Sequence, residues 1–305
     1  VVIRDTQTYG EQVSVRGFIN NDFLFKIMAD PSFVSSAPVV NPPPSVSTAA
    51  FVVANDSVSI MGIDIRPTSP VQYGVWASSA YARISTMTVE GGFNVWGAGI
   101  SVSSRSEVSF SSVSAWSGDA LRLSYSTMTT VSGSTLAVSK AGTYALNFVR
   151  SSSNTVVGCV VSSGTYIDSF SRYNSLSASS FTAYSMTPAI SVYGSSNSFI
   201  GLYAANTVGN AILVAASYNT LSQGRFEGRG TGTMEAFSIS GAVATLIDRS
   251  FINNPNGDGL DATSANYTTI QLSTVTSFAS GRTALYVNSA SSVTIDRSYV
   301  YSTIG

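Results

Sequence analysis

One short pattern recurs along most of this chain, and its spacing restricts the fold more than any other feature. A small residue followed by an apolar one opens each copy: Gly74-Val75, Gly99-Ile100, Ala120-Leu121, Ala145-Leu146, Ala189-Ile190, Ala211-Ile212, Ala236-Phe237, Gly259-Leu260 and Ala284-Leu285. A weaker copy sits near Ile167. With that copy included, Gly74 to Ala284 is nine steps, a mean spacing near 23. Self-similarity at such a period marks a solenoid or array, in which each unit buries its apolar face only against its neighbours.

Inside each copy the period is two. Leu121 and Leu123 flank Arg122, Ile190 and Val192 flank Ser191, and Leu285 and Val287 flank Tyr286. This predicts an opening strand with one face inward. A second strand follows (Val58-Ile60, Val108-Phe110, Leu221, Ile270, Val293-Ile295), and then a third (Ile63-Ile65, Met87-Val89, Phe181, Phe226, Phe251, Tyr299). No long window has helical periodicity, and Ser, Thr and Val dominate, which favours strands. Three short strands per unit of about 23 residues, a period in the solenoid range, describe one coil of a right-handed parallel β-helix, an all-β fold. Some eleven coils are expected over residues 50–305. A sandwich or barrel would need Asn-Gly or Asp-Gly hairpins, which are rare here.

Residues 1–49 follow a different grammar. Val13-Ser14-Val15-Arg16-Gly17-Phe18 alternates briefly and Phe23-Leu24-Phe25 follows. Pro38 and Pro42-Pro43-Pro44 then mark an extended loop. This segment is expected to be an irregular first coil that caps the apolar end of the solenoid. The chain starts at Val1 rather than Met, so it reads as an excised or processed piece. Tyr301-Ser302-Thr303-Ile304-Gly305 breaks off in mid-pattern, so a continuation is expected.

Two columns support the registration. Asn154, Asn174, Asn197 and Asn219 each precede a second strand. Asn tolerates the left-handed backbone of a sharp corner, and stacked amides can form a ladder. Ile247-Asp248-Arg249-Ser250-Phe251 and Ile295-Asp296-Arg297-Ser298-Tyr299 are near-copies separated by two coils. Gln223 and Gln271 are expected in the same column as Asp248 and Asp296, as a structural polar ladder.

Composition then narrows the chemistry. Zero His removes Ser-His-Asp and Cys-His nucleophile systems and HExxH zinc sites. One Cys removes an intrachain disulfide, and Cys159 sits in the apolar run Val156–Val161, as a small buried hydrophobe would. No metal site or cofactor is expected. The 305 residues hold 56 Ser but only 13 Arg and 2 Lys, with a net charge of −1, so no basic footprint for nucleic acid exists. No apolar run approaches a membrane span, and membrane insertion is not expected. Neutral Ser, Thr, Asn and Tyr surfaces suit the hydroxyls of a polysaccharide.

The coil openings Gly118-Asp119-Ala120-Leu121 and Gly257-Asp258-Gly259-Leu260, the Asn-x-apolar corners, and Phe51-Val52-Val53-Ala54-Asn55-Asp56-Ser57-Val58 after the Pro-rich loop carry a family resemblance. Residues 50–305 resemble the pectate-lyase-like superfamily of right-handed β-helices, and within it bacteriophage tailspikes. The resemblance implies a homotrimer on the virion tail, joined to the tail or baseplate through a part outside this chain. It implies binding of a bacterial surface polysaccharide, often with cleavage by carboxylates. The calcium-site Asp clusters and Lys/Arg patterns of pectate lyases and the His-containing motif of alginate epimerases are absent. Two alternatives stay open: a non-catalytic fibre or adhesin, and a secreted polysaccharide lyase with a Tyr or Arg base.

Registration also nominates the site residues. The corner before each opening strand reads Asp119, Tyr144, Pro188, Asn210, Glu235, Asp258, Thr283. Glu235 and Asp258 are adjacent in it, and Asp261 starts the outward face of the same coil. Carboxylates one rise apart, about 5 Å, match the separation of a retaining glycosidase pair. Mutual repulsion would keep one protonated as the general acid. The competing reading is that these acids cap turn amides and face solvent. Trp76, Arg122, Asn147 and Tyr286 fall on the outward face as candidate glycan contacts. Trp76, Trp96 and Trp116 recur at an even spacing close to one coil; they would stack on sugars or sit beneath loops or at a subunit interface. Arg225, Glu227 and Arg229 read as a solvated face.

Overall fold

The computed structural model describes residues 1–17, 23–32, 36–231 and 234–303. Phe18, Ile304 and Gly305 lie outside the described residues. The chain divides into two compact units, Val1–Val160 and Val161–Gly305. Each is a parallel β-solenoid whose opening, second and third strands stack into an opening, a middle and a closing sheet. Counted over both units, the turns come to about twelve. The one helical element among the described residues is a 3-10 turn, Gly92–Asn94. No described helix is long and apolar enough to cross a membrane.

In the first unit the inward column of the opening sheet runs Phe51, Val75, Ile100, Leu121, Leu146, each paired in register and at most 1% exposed. The outward column one residue on runs Val52, Trp76, Ser101, Arg122, Asn147. This is the period-two alternation read as two faces. Truncating Leu121 to Ala would cost about 3 kcal/mol, the usual scale for a fully buried leucine. Residues 1–49 supply strands to the same sheets: Val2–Ile3, Thr8–Tyr9 and Val13–Val15 pair with Phe25–Ala29, Val39–Val40 and Ala49–Val53. Cys159 is buried in this unit, and burial pushes its thiol pKa up.

In the second unit Ile190, Ile212, Phe237, Leu260 and Leu285 form the corresponding column. The middle sheet pairs Leu176, Phe199, Leu221, Ile247, Ile270 and Ile295 in succession, although the sequence separation changes from one pair to the next. Turns therefore absorb the length variation while the strands keep register. Phe226 of the closing sheet meets Phe237 of the opening sheet edge-on at 5.2 Å and 88°, the offset geometry that aromatic quadrupoles favour.

The corners revise the polar columns. The residue before each Asn, not the Asn, takes the left-handed backbone: Ser153, Tyr173, Ser196 and Tyr218 have φ of 57°, 58°, 60° and 61°. Ser57, Tyr81, Arg105 and Met128 hold the same corner in the first unit. A non-Gly residue in this region costs about 1–2 kcal/mol, so the stacked strands on either side impose it. The turn frees each Asn side chain to point inward, where it is at most 1% exposed. Asn219 Oδ1 accepts the Asn197 N–H at 2.8 Å, and Asn197 Oδ1 accepts the Asn174 N–H at 2.9 Å. The expected Gln223 position is corrected too. Asp248 pairs with Ser222 and Gln271, and Gln271 with Asp296. Gln223, like Arg249, sits at the following corner with positive φ. The Gln271 amide donates to Asp248 at 3.0 Å, so the ladder survives as Asp248–Gln271–Asp296.

Candidate functional site

Glu235 and Asp258 are the first residues of consecutive opening strands, Glu235–Ser240 and Asp258–Thr263, and are direct partners in the pairing. Parallel strands lie about 4.8 Å apart, which sets the spacing of the two residues. Asp261 follows on the same strand, between Ser238 and Tyr286 in the outward column. All three acids are half-buried. The glycines around Asp258 explain the tightness of this corner. A Cβ on Gly257 would stand 2.4 Å from the Met234 carbonyl oxygen, and one on Gly259 2.4 Å from that of Ala284. Neither position has room for a side chain.

Hydrogen bonds fix each acid. The Asn210 amide donates to Glu235 Oε2 at 3.1 Å. The backbone N–H of Thr283 donates to Asp258 Oδ1 at 2.7 Å, and the Thr263 hydroxyl to Asp261 Oδ1 at 2.7 Å. Among the described residues no Arg or Lys forms a salt bridge with any of the three. Burial pushes the Glu235 carboxyl above the usual carboxylate range. The negative charges of Asp261 and Asp258 push it further, against the pull of its own backbone N–H and of Asn210. The corner thus combines a carboxyl biased toward its acid form with a neighbour held by a backbone N–H, the division of labour that acid–base chemistry on one bond requires.

The other nominated residues lie elsewhere or do other work. Tyr286 is 48% exposed beside Asp261. Arg122 and Asn147 belong to the first unit, where both converge on Asp119. Arg122 Nε donates to Asp119 Oδ2 at 2.7 Å and Asn147 Nδ2 to the same oxygen at 2.9 Å. Arg122 also donates to the Gly97 carbonyl at 3.2 Å. Sequence reasoning missed this because the partner of an outward Arg depends on its neighbours in space. Only the i, i+3 spacing of Asp119 and Arg122 signalled it.

The three tryptophans do not form a column. Trp76 pairs with Ser101 and not with Trp96. Register partners in this unit, such as Arg83 with Glu107 and Thr130 with Thr155, stand further apart in sequence than successive tryptophans, so the Trp series drifts off the column. Each is exposed: Trp76 stacks on Tyr73 at 5.9 Å, and Trp116 meets Phe93 at 4.4 Å. In the second unit the Arg225–Glu227 ion pair takes a hydrogen bond from the Tyr203 hydroxyl at 3.1 Å. Glu227 lines a cleft of about 180 Å³ together with Arg229, Tyr184 and Tyr203, while the Arg225 side chain is 62% exposed.

No protein-family model matches the chain, and no curated protein matches it in sequence. Solved structures match in fold. The Dettilon tailspike protein superposes with a TM-score of 0.64 and 15% identity, over 95% of this chain and 61% of its own. The A-module of the Azotobacter vinelandii mannuronan C-5 epimerase AlgE4 gives 0.54 and 13%, over 92% and 91%. ORF18 of Geobacillus virus E2 gives 0.52 and 12%, over 89% and 54%. The chain therefore spans under two thirds of the length of each of these two phage proteins. At these identities the likeness defines the fold alone: a parallel β-solenoid, which the tailspike protein and the epimerase module share.

Proposed function

We propose that this chain is part of a phage tailspike that binds and hydrolyses a bacterial surface polysaccharide. The carboxylate cluster of the second unit carries this reading, because Glu235 is biased toward its protonated form and, among the described residues, no Arg or Lys forms a salt bridge with the group. Glu235 gives its proton to the leaving glycosidic oxygen. Asp258, held by the Thr283 N–H, attacks the anomeric carbon from the neighbouring strand. Water then releases the sugar from Asp258, with Glu235 taking the proton back, as in retaining glycosidases. Asp261 sustains the Glu235 proton and Tyr286 offers a ring for sugar stacking. On the first unit, Trp76, Arg122 and Asn147 offer glycan contacts of their own.

The test incubates the protein with host capsule or lipopolysaccharide and follows new reducing ends and product masses. Hydrolysis gives saturated products from wild type and about 100-fold less from Glu235→Gln. Products with unsaturated ends would replace this reading with a lyase; binding without any product would replace it with an adhesin. We place the working form as a homotrimer on the virion tail, since Trp96 and Phe110 expose apolar area on a chain with few charges. Light scattering at three times the chain mass is the expected result, and a monomer mass would overturn that assembly for this chain.

A further inference from the structure

A second cleft, of about 410 Å³, lies on the outer face of the middle sheet in the first unit, where Tyr81, Arg83, Arg105, Glu107 and Met128 line it. Tyr81, Arg105 and Met128 occupy the left-handed corner of three successive coils. They stand out from the rod as a short ladder: Tyr81 is 45% and Met128 61% exposed. Arg83 and Glu107 are strand partners with Nε and Oε2 3.9 Å apart, so their charges oppose each other. Arg105 differs from its neighbours. Among the described residues no carboxylate forms a salt bridge with it. Its Nη1 donates to the Tyr81 hydroxyl at 2.6 Å and its guanidinium carbon lies 5.5 Å from the Tyr81 ring centre.

The group is thus an exposed guanidinium held by an aromatic ring in the lining of a cleft. A planar N–H fork matches a carboxylate in bidentate fashion. The Tyr81 ring and Met128 thioether supply apolar surface of the kind that the C–H face of a sugar covers. Glu107, offset by Arg83, accepts hydrogen bonds from sugar hydroxyls. These requirements converge on one ligand class.

We propose that this cleft binds an acidic sugar residue of a polysaccharide, its carboxylate on Arg105 and its ring against Tyr81 and Met128. The site goes beyond the cleavage reading and stands whether or not Glu235 cleaves. Its test uses the full chain carrying Glu235→Gln, so that no ligand is consumed. Calorimetry at low salt compares tetrameric galacturonate and sialate with neutral maltotetraose and inorganic phosphate. At least one acidic oligosaccharide binds, and maltotetraose binds at least about 10-fold more weakly, about the 1.4 kcal/mol that a tenfold ratio represents. Arg105→Gln weakens the acidic ligand by at least about 10-fold, Arg105→Lys by less, and added salt weakens it throughout. Arg105 is exposed, and an unchanged circular dichroism spectrum confirms that the variants fold. The proposal is overturned if neither acidic oligosaccharide binds, if Arg105→Gln binds as wild type, or if phosphate binds as tightly through Arg105.

Discussion

Asp119 in the first unit and Asp258 in the second hold the same place in their coils. Each begins an opening strand, each is followed by a small residue and a buried leucine, and each has an outward residue three positions on. That residue is Arg122 in one case and Asp261 in the other. With Arg122, the aspartate is only 5% exposed and closed into an ion pair at 2.7 Å. With Asp261, no ion pair forms among the described residues, and its negative charge adds to burial, the larger cause, in raising the Glu235 carboxyl pKa. One backbone geometry thus yields a closed ion pair or a carboxylate cluster, depending on the outward residue three positions on and on the strand partner, which is Ala98 for Asp119 and Glu235 for Asp258.

Breaking the second corner gives the largest effect. Glu235→Gln and Asp258→Asn are each expected to lower turnover at least about 100-fold while glycan binding persists. Titration of bound glycan beside reducing-end assays separates the two quantities. Wild-type rates in both variants would show that the reaction does not run at this corner.

Breaking the first corner should act on stability instead. Arg122→Leu leaves a buried carboxylate without its cation. A fully buried pair would lose about 3–5 kcal/mol, and the 29% exposure of the Arg122 side chain reduces this to about 2 kcal/mol. Urea unfolding measures it; a change below about 0.5 kcal/mol would mean that water already solvates Asp119.

Asp261→Asn sharpens the comparison with a smaller change. It removes one of the charges that raise the Glu235 pKa, while burial, the larger cause, remains. The rate falls as pH climbs through that pKa and the acid form is lost. The variant should begin this fall at lower pH than wild type, and an unmoved limb would assign it to another group. Linkage gives a companion effect. Native Glu235 holds its proton more tightly than the unfolded chain does, so its contribution to stability is full below about pH 4.3 and is lost as pH rises through the native pKa. Glu235→Gln should lack that decline, which thermal unfolding across pH would detect.

Much of this was legible in the residues. The small-apolar openings carried the coil, and the alternation after them carried the inward face. Together they placed Glu235 beside Asp258, because a parallel stack keeps register as long as the apolar column stays buried. The tryptophan spacing misled because it falls just short of a coil, and a near-match loses register within one turn. The Asn column was found and its amides do form a ladder, but the left-handed corner lies one residue earlier: Tyr218 and Ser196 bend the chain so that Asn219 and Asn197 can point inward.

The sequence by itself determined the repeat, the three-sheet solenoid and the pairing of the two acids, since all three follow from where apolar residues recur. Only the tertiary structure decided which outward charges are matched. Arg122 is tied to Asp119, Arg105 is braced by Tyr81, and Glu235 is left among carboxylates. The physical reason is range: burial is written in the local alternation, whereas the field at an outward side chain comes from neighbours a whole coil away, through turns of varying length.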